Sequence, residues 1–352
     1  MYCGSSSVVE HHLAMVGVAG SNPVFRFVLE PHIFVRLFVR EMAQLGRALR
    51  SGRRGRRFKS CFPDRGIFMQ KMLIIEDLSA LGQISMVSAI SVATIMNVKP
   101  ALLPTIILST QSEGFGAPVS LTLGQWQNKA LEHWNSLEQE FDTMMIGYIG
   151  SIIGVQNILS FLPLVRKKKL VVDPAMADQG SLYPNLPITY PSMISTLCQY
   201  ADVILPNFTE ACMLAQVDYA NDSLNQSKLD QLVDKLVQRF PSTEIIITGV
   251  PLANKLAVVY VNKLNIASPM LWSVESIARH FYGTGDIFTA IVSACLAKKM
   301  STEKAVKIAI NALELAVKDS AQLTDHELLY GLKMTRLQEY LLDIEGNEID
   351  EK

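Results

Sequence analysis

Gly283-Thr284-Gly285-Asp286 stands just before the apolar segment 288–296. Two glycines let the backbone turn tightly and present successive N–H groups outward. A helix starting there adds the positive end of its dipole, so the motif makes an anion hole. Asp286, in the first turn, is placed to take a proton from a hydroxyl whose attack on phosphorus those N–H groups stabilise. Taken alone, the four residues also read as an ordinary helix start with an acidic first-turn residue. They are not alone: acidic, small or glycine-rich residues follow each of six apolar runs. These are Glu76-Asp77-Leu78-Ser79, the segment 109–114 with Ser112, Gly147-Tyr148-Ile149-Gly150, Asp173-Pro174, Pro206-Asn207-Phe208-Thr209-Glu210 and Thr248-Gly249.

Such residues meet only if the runs are strands whose carboxyl ends share one edge, which is where α/β sheets bind ligands. From Met72 onward, short apolar runs (73–75, 101–108, 144–146, 170–172, 203–205, 245–247) alternate with longer segments at 84–96, 123–137, 152–162, 188–200 and 229–240. This spacing predicts right-handed crossovers and a parallel sheet buried on both sides. Beyond residue 247 we expect a hairpin partner at 256–261, an extended piece at 271–274, and helices near 285–299, 301–320 and 325–342. The fold class is therefore α/β: a doubly wound, mostly parallel central sheet with helices on both faces. One domain is expected over 69–335, preceded by a basic extension (1–68) and followed by a helix end and acidic tail (336–352).

Of the 352 residues, 49% are hydrophobic and 18% charged, which excludes disorder over the whole chain. The formal net charge of -1 sums two unlike parts: residues 1–71 carry 12 Lys+Arg against 4 Asp+Glu, and the remainder 20 against 29. Residues 1–68 have no sustained period and resemble the translation of a reading frame drawn through transfer-RNA genes. We expect a spurious or disordered extension, with Met69 or Met72 as the start, and no nucleic-acid partner. Five cysteines without any C-x-x-C pair argue against a zinc knuckle or a disulfide framework and favour a cytoplasmic setting. No apolar run reaches the roughly 18 residues that a membrane span needs. His133 and His280 are read as surface or packing residues, Cys212 and Cys295 as buried small hydrophobes, and Lys167-Lys168-Lys169 as a solvated turn before a strand.

Gly283-Thr284-Gly285-Asp286, with Asn207-Phe208-Thr209-Glu210 and the stretch from Asp173-Pro174 to Asp178, resembles the ribokinase-like superfamily and within it the pyridoxal/pyridoxamine kinases. Asp77-Leu78-Ser79-Ala80-Leu81-Gly82 and the segment 103–109 share the likeness, which runs over about residues 72–320. It implies an ATP- and Mg2+-dependent kinase that phosphorylates the 5'-hydroxymethyl group of a B6 vitamer. Asp286 would be the general base, with the backbone of Gly283, Thr284 and Gly285 around the transferring phosphate. Glu210 with Asn207, and Asp173, would organise Mg2+ and the nucleotide phosphates, with Asp178 in a loop nearby and Thr248 contacting the nucleotide. Asp77, Ser112 and Tyr148 align with positions that contact the vitamin ring. Phosphoryl transfer needs positioning and charge neutralisation more than covalent help, so this set of residues suffices.

Two departures stand out. Many relatives read Asn-His-Thr where this chain has Thr110-Gln111-Ser112, so Gln111 replaces a histidine able to contact the ring. The usual Val and Gly of the Asp-Pro-Val-Met-Gly-Asp stretch are Ala175 and Ala177. A hydroxymethylpyrimidine kinase is the nearest alternative, although that branch often carries Cys at the position of Asp286. Sugar kinases usually add a lid of strands for which the short entry at 73–82 leaves no room. A non-catalytic vitamin-binding regulator is the alternative of another class, opposed by intact Asp173, Glu210 and Asp286. The resemblance also implies a homodimer.

Overall fold

The computed structural model describes residues 69–219, 224–252, 255–275, 277 and 279–350. The expectations for residues 1–68 lie outside them. Strand β1 (Lys71–Ile75) buries Met72, Leu73, Ile74 and Ile75 completely. Alternation along the strand sends Leu73 and Ile75 into one core and Met72 and Ile74 into another, so this sheet is covered on both faces. It continues through β2 (Lys99–Leu102), β3 (Glu140–Ile146), β4 (Arg166–Val172), β5 (Val203–Ile204), β6 (Glu244–Leu252), β7 (Lys255–Asn262) and β8 (Asn265–Val274). The spatial order is β8-β7-β6-β5-β4-β3-β1-β2. Strands β1 to β6 pair in parallel, and β7 and β8 add as antiparallel neighbours. The order reverses between β1 and β3, which opens a crevice at their carboxyl ends.

Helix α1 (Met86–Ile95) packs on one face of the sheet. On the other lie α2 (Gly124–Ser136), α3 (Ile152–Phe161), α4 (Tyr190–Cys198), α5 (Phe208–Ala215) and α6 (Gln226–Arg239). The chain then returns to the first face with α7 (Thr284–Ala297) and α8 (Thr302–Ser320), makes the single turn α9 (Asp325–Leu328), and ends in α10 (Thr335–Asp350). Helix α7 is buried from Ile287 to Ala297 on every side, as its lack of charge after Asp286 requires. Among the described residues no helix is long and apolar enough to cross a membrane.

Five sequence expectations need correction. The run 101–108 is not one strand: Pro104 has no N–H for the ladder, and the chain crosses the end of β1 there, with Leu103 N–H donating to the Ile74 carbonyl and Thr105 N–H to that of Glu76. Its second half, Ile106–Leu108, joins Leu78–Ser79 and Ser120–Thr122 in a separate three-stranded sheet. Added strands at this end are therefore present, against the expectation that the short entry at 73–82 leaves no room for them. The helix expected over 325–342 is broken, because Gly331 at φ 99° brings the chain against the loop before α1, where Gln83 N–H donates to the Tyr330 carbonyl at 2.7 Å. Lys167, Lys168 and Lys169 lie within β4 rather than before it, with Lys168 paired to Asp142 at 2.7 Å. The acidic C-terminal segment is helical to Asp350, and α10 buries Leu337 and Leu341 in the core.

Candidate active site

The carboxyl ends of the parallel strands open into a cavity of about 480 Å³. All twelve residues singled out above line it: Asp77, Ser112, Tyr148, Asp173, Asp178, Asn207, Glu210, Thr248, Gly283, Thr284, Gly285 and Asp286.

Gly283 is the N-cap of α7 at φ 83°, a left-handed conformation that glycine adopts without steric penalty. No side chain caps this terminus, so its first-turn N–H groups are available to an anion. Asp286 is held from across the fold, its Oδ2 accepting the backbone N–H of Ser85 at 2.7 Å. Desolvation raises its pKa, and the hydrogen bonds from Ser85 oppose that rise. A carboxylate so placed is a competent base for a hydroxyl in the cavity.

Asp173 directly follows β4 and accepts the Thr289 hydroxyl of α7 at 2.8 Å. A Cβ built on Gly285 would lie 3.8 Å from its Oδ2, so Asp173 faces the anion-binding turn. Burial first, then repulsion from Glu210, lifts the Asp173 pKa well above the ordinary carboxylate value. Glu210 is 2% exposed and already occupied. Its Oε2 accepts Asn207 N–H at 2.8 Å within a capping box, and its Oε1 accepts Met176 N–H at 3.0 Å. Burial pushes its pKa up to about 7, while those backbone bonds pull the other way. Asn207 Nδ2 donates to the Ala177 carbonyl at 2.7 Å. The Asn-x-x-Glu motif thus ties the loop after β4 to α5, a bracing role the sequence did not reveal. Among the described residues no three side chains form a closed metal cage. A buried pair of mutually repelling carboxylates does suit a hard cation held mainly by phosphate oxygens.

At the end near β1 and β3, Asp77 is 3% exposed and accepts the Ser79 hydroxyl at 3.0 Å. Burial and then Asp286 push its pKa up to about 6. Tyr148 meets Tyr183 edge to face at 6.1 Å between centroids, and burial raises its hydroxyl to about 12. Gln111 turns its amide away to the Leu329 carbonyl at 2.7 Å. Leu256, Val258, Ile310, Leu313 and Val317 line the same cavity as Thr248 and Gly249, an apolar lining suited to a flat base. His280 lies at the surface, as expected, but it is not isolated. Its Nε2 lies 3.9 Å from Glu113 and its Nδ1 4.0 Å from Asp178, at the cavity wall.

Sequence reasoning missed Tyr183, Ser85 and Thr289. Tyr183 and Thr289 follow candidate motifs by a few residues, a weak signal. Ser85 contributes through its backbone, for which side-chain chemistry gives no sign.

Residues 133–329, more than half of the chain, match the family model described as phosphomethylpyrimidine kinase. The hydroxymethylpyrimidine/phosphomethylpyrimidine kinase of Haemophilus influenzae is 26% identical over 208 residues, covering 57% of this chain and 72% of that protein. The crystal structure of pyridoxal kinase from Lactobacillus plantarum superposes with a TM-score of 0.72 at 30% identity, covering 79% of this chain and 98% of that one. A Bacteroides thetaiotaomicron protein with a provisional phosphomethylpyrimidine kinase name, crystallised with pyridoxal, gives 0.71 at 27% identity over 78% and 96% of the two chains. With the parallel sheet, the glycine turn and the acid-lined cavity, these likenesses make the chain a member of the phosphomethylpyrimidine kinase family, in the ribokinase-like superfamily that also holds the pyridoxal kinases it superposes on.

Proposed function

We propose that this kinase transfers the γ-phosphoryl group of ATP to the 5'-hydroxymethyl group of a B6 vitamer, giving the 5'-phosphate and ADP. The observation that carries the reading is the position of Asp286, at the mouth of an uncapped helix N-terminus and in one cavity with Asp77, Tyr148 and Tyr183.

The vitamin ring packs beside Tyr148 and Tyr183, and Asp77 pairs with a ring hydroxyl or the ring nitrogen. The adenine packs against the apolar part of the cavity lining. Asp286 takes the hydroxymethyl proton as the oxygen attacks the γ-phosphorus and the bond to the β-phosphate oxygen breaks, and the N–H groups of the Gly283–Gly285 turn hold the transferred oxygens. Asp173 would hold Mg2+, with Glu210 bracing the loop behind it and Asp178 nearby. When bound, the cation neutralises phosphate charge. We place this activity in the cytoplasm. We also infer a homodimer, supported by the exposed apolar side chains of Val119, Leu121 and Trp126.

A second reading, phosphorylation of hydroxymethylpyrimidine, is favoured by the matched family and by the Haemophilus relative. An ADP-release assay with ATP, Mg2+ and each of pyridoxal, pyridoxamine, pyridoxine and hydroxymethylpyrimidine separates the two. Turnover of a vitamer above the pyrimidine is the expected result. Turnover of the pyrimidine alone would replace the first reading with the second.

A further inference from the structure

We propose that Gln111 is a positioning residue for Asp286, acting through the turn 328–331, which clasps the segment 111–115 and the loop 82–85 together. The inference rests on the kinase reading above, with Asp286 as the base.

The turn follows α9 and lies outside the cavity lining, yet two stretches that line the cavity are fastened to it. From one side Gln111, 8% exposed, donates its Nε2 to the Leu329 carbonyl at 2.7 Å, across 218 positions of sequence. A Cβ built on Gly114, at φ 79°, would overlap Leu329 Cδ2, so the backbone there rests directly on that side chain. The Phe115 ring meets Tyr330 edge to face, with centroids 5.2 Å apart.

From the other side, the Tyr330 carbonyl accepts Gln83 N–H at 2.7 Å. Gly331 approaches so closely that a Cβ on it would lie 2.6 Å from the Gln83 carbonyl oxygen. Two residues beyond Gln83, Ser85 N–H donates to Asp286 Oδ2 at 2.7 Å. Leu329 and Tyr330 are neighbours in the chain, so a single peptide unit separates the Gln111 anchor from the Gln83 anchor. The turn is a firm base for both. Leu328 and Leu332 are buried on either side of it, and Thr324 and Glu327 close a capping box at the start of α9. Arg279 holds the preceding stretch by donating to the Ala321 and Leu323 carbonyls at 2.9 and 2.8 Å.

A general base acts only from the right place, and a displacement of about 1 Å can slow a reaction about 10²-fold. Without the Gln111 amide the Leu329 carbonyl loses its donor. The turn then shifts, and the Gln83 and Ser85 contacts shift with it. The departure from the family histidine thus has a structural use, because the Gln111 amide serves the turn behind the base.

The test measures single-turnover phosphoryl transfer with saturating ATP, Mg2+ and the best-used vitamer, in the full chain and in Asp286→Asn, each with and without Gln111→Met. Methionine matches the length of Gln111 and cannot donate. Gln111→Met is expected to slow transfer about tenfold in the wild-type background, with KM for ATP unchanged, and by less than about twofold in Asp286→Asn. Phe115→Leu, at a half-buried position, is expected to show the same pattern with a loss of about threefold. An equal loss in both backgrounds, or no loss from either substitution, overturns the inference and leaves the kinase reading intact. Transfer by Asp286→Asn at the wild-type rate overturns the assignment of the base, and the inference with it.

Discussion

The backbone N–H of Ser85 donates to Asp286 Oδ2 at 2.7 Å, joining residues 201 positions apart in sequence. Ser85 has φ 48° and ψ -128°, a conformation glycine adopts more readily, and it is the N-cap of α1 without capping that helix through its side chain. The loop before α1 is therefore shaped to reach the proposed base. Its hydroxyl also holds the Asp286 pKa down against desolvation. Ser85→Ala keeps the N–H and loses the hydroxyl, so the Asp286 pKa should rise further. Protonated Asp286 cannot act as a base. The acidic limb of kcat/KM should move to higher pH, with activity reduced on the acid side and recovered as pH rises. A pH-rate profile of both proteins checks this.

Burial makes the unliganded fold sensitive to pH. Asp77 titrates near 3.8 when exposed and near 6 in the fold, so between those values the folded protein keeps a proton that the unfolded chain has released. The stabilisation is complete below about pH 4 and is lost as pH rises through about 6, amounting to on the order of 3 kcal/mol. Glu76, 1% exposed with neither carboxyl oxygen hydrogen-bonded, has its pKa raised well above the ordinary value by burial first and then by Asp286, and acts in the same direction. Urea unfolding without nucleotide should show lower stability at pH 8 than at pH 5. Glu76→Gln should flatten that dependence.

Gly147 gives Glu76 its space. A Cβ there would meet Glu76 Oε2 at 2.5 Å and Glu76 Cβ at 3.1 Å. Gly147→Ala is expected to destabilise the protein by about 1–3 kcal/mol through overpacking. It should also raise KM for the vitamin more than KM for ATP, since Tyr148 follows directly. Combining it with Glu76→Ala should recover part of the stability, which a double-mutant cycle in urea measures.

Much of this was legible in the sequence because a parallel sheet writes itself in short apolar runs, and the residues after each run are the ones that meet. Asp77, Tyr148, Asp173 and Thr248 share a cavity for that reason. Pro104, which splits one run into strands of two sheets, was visible as a residue but not as a crossing over β1. Gly331 broke an otherwise continuous helical pattern because the loop at Gln83 demands close approach, a tertiary requirement without a local signature. Glu210 shows the same limit: the resemblance implied a place for it near Mg2+, but not that its carboxyl oxygens accept N–H groups from Met176 and Asn207. Side-chain chemistry could be read from residue type, but its commitment to backbone groups could not.

The central claim is that Asp286 is the base for phosphoryl transfer, and Asp286→Asn tests it most directly, with kcat for the best vitamer and ATP affinity by titration calorimetry measured side by side. The account expects kcat to fall by on the order of 10²-fold or more, with ATP affinity nearly unchanged. Turnover at the wild-type rate would contradict it and reduce Asp286 to an acidic residue at a helix start.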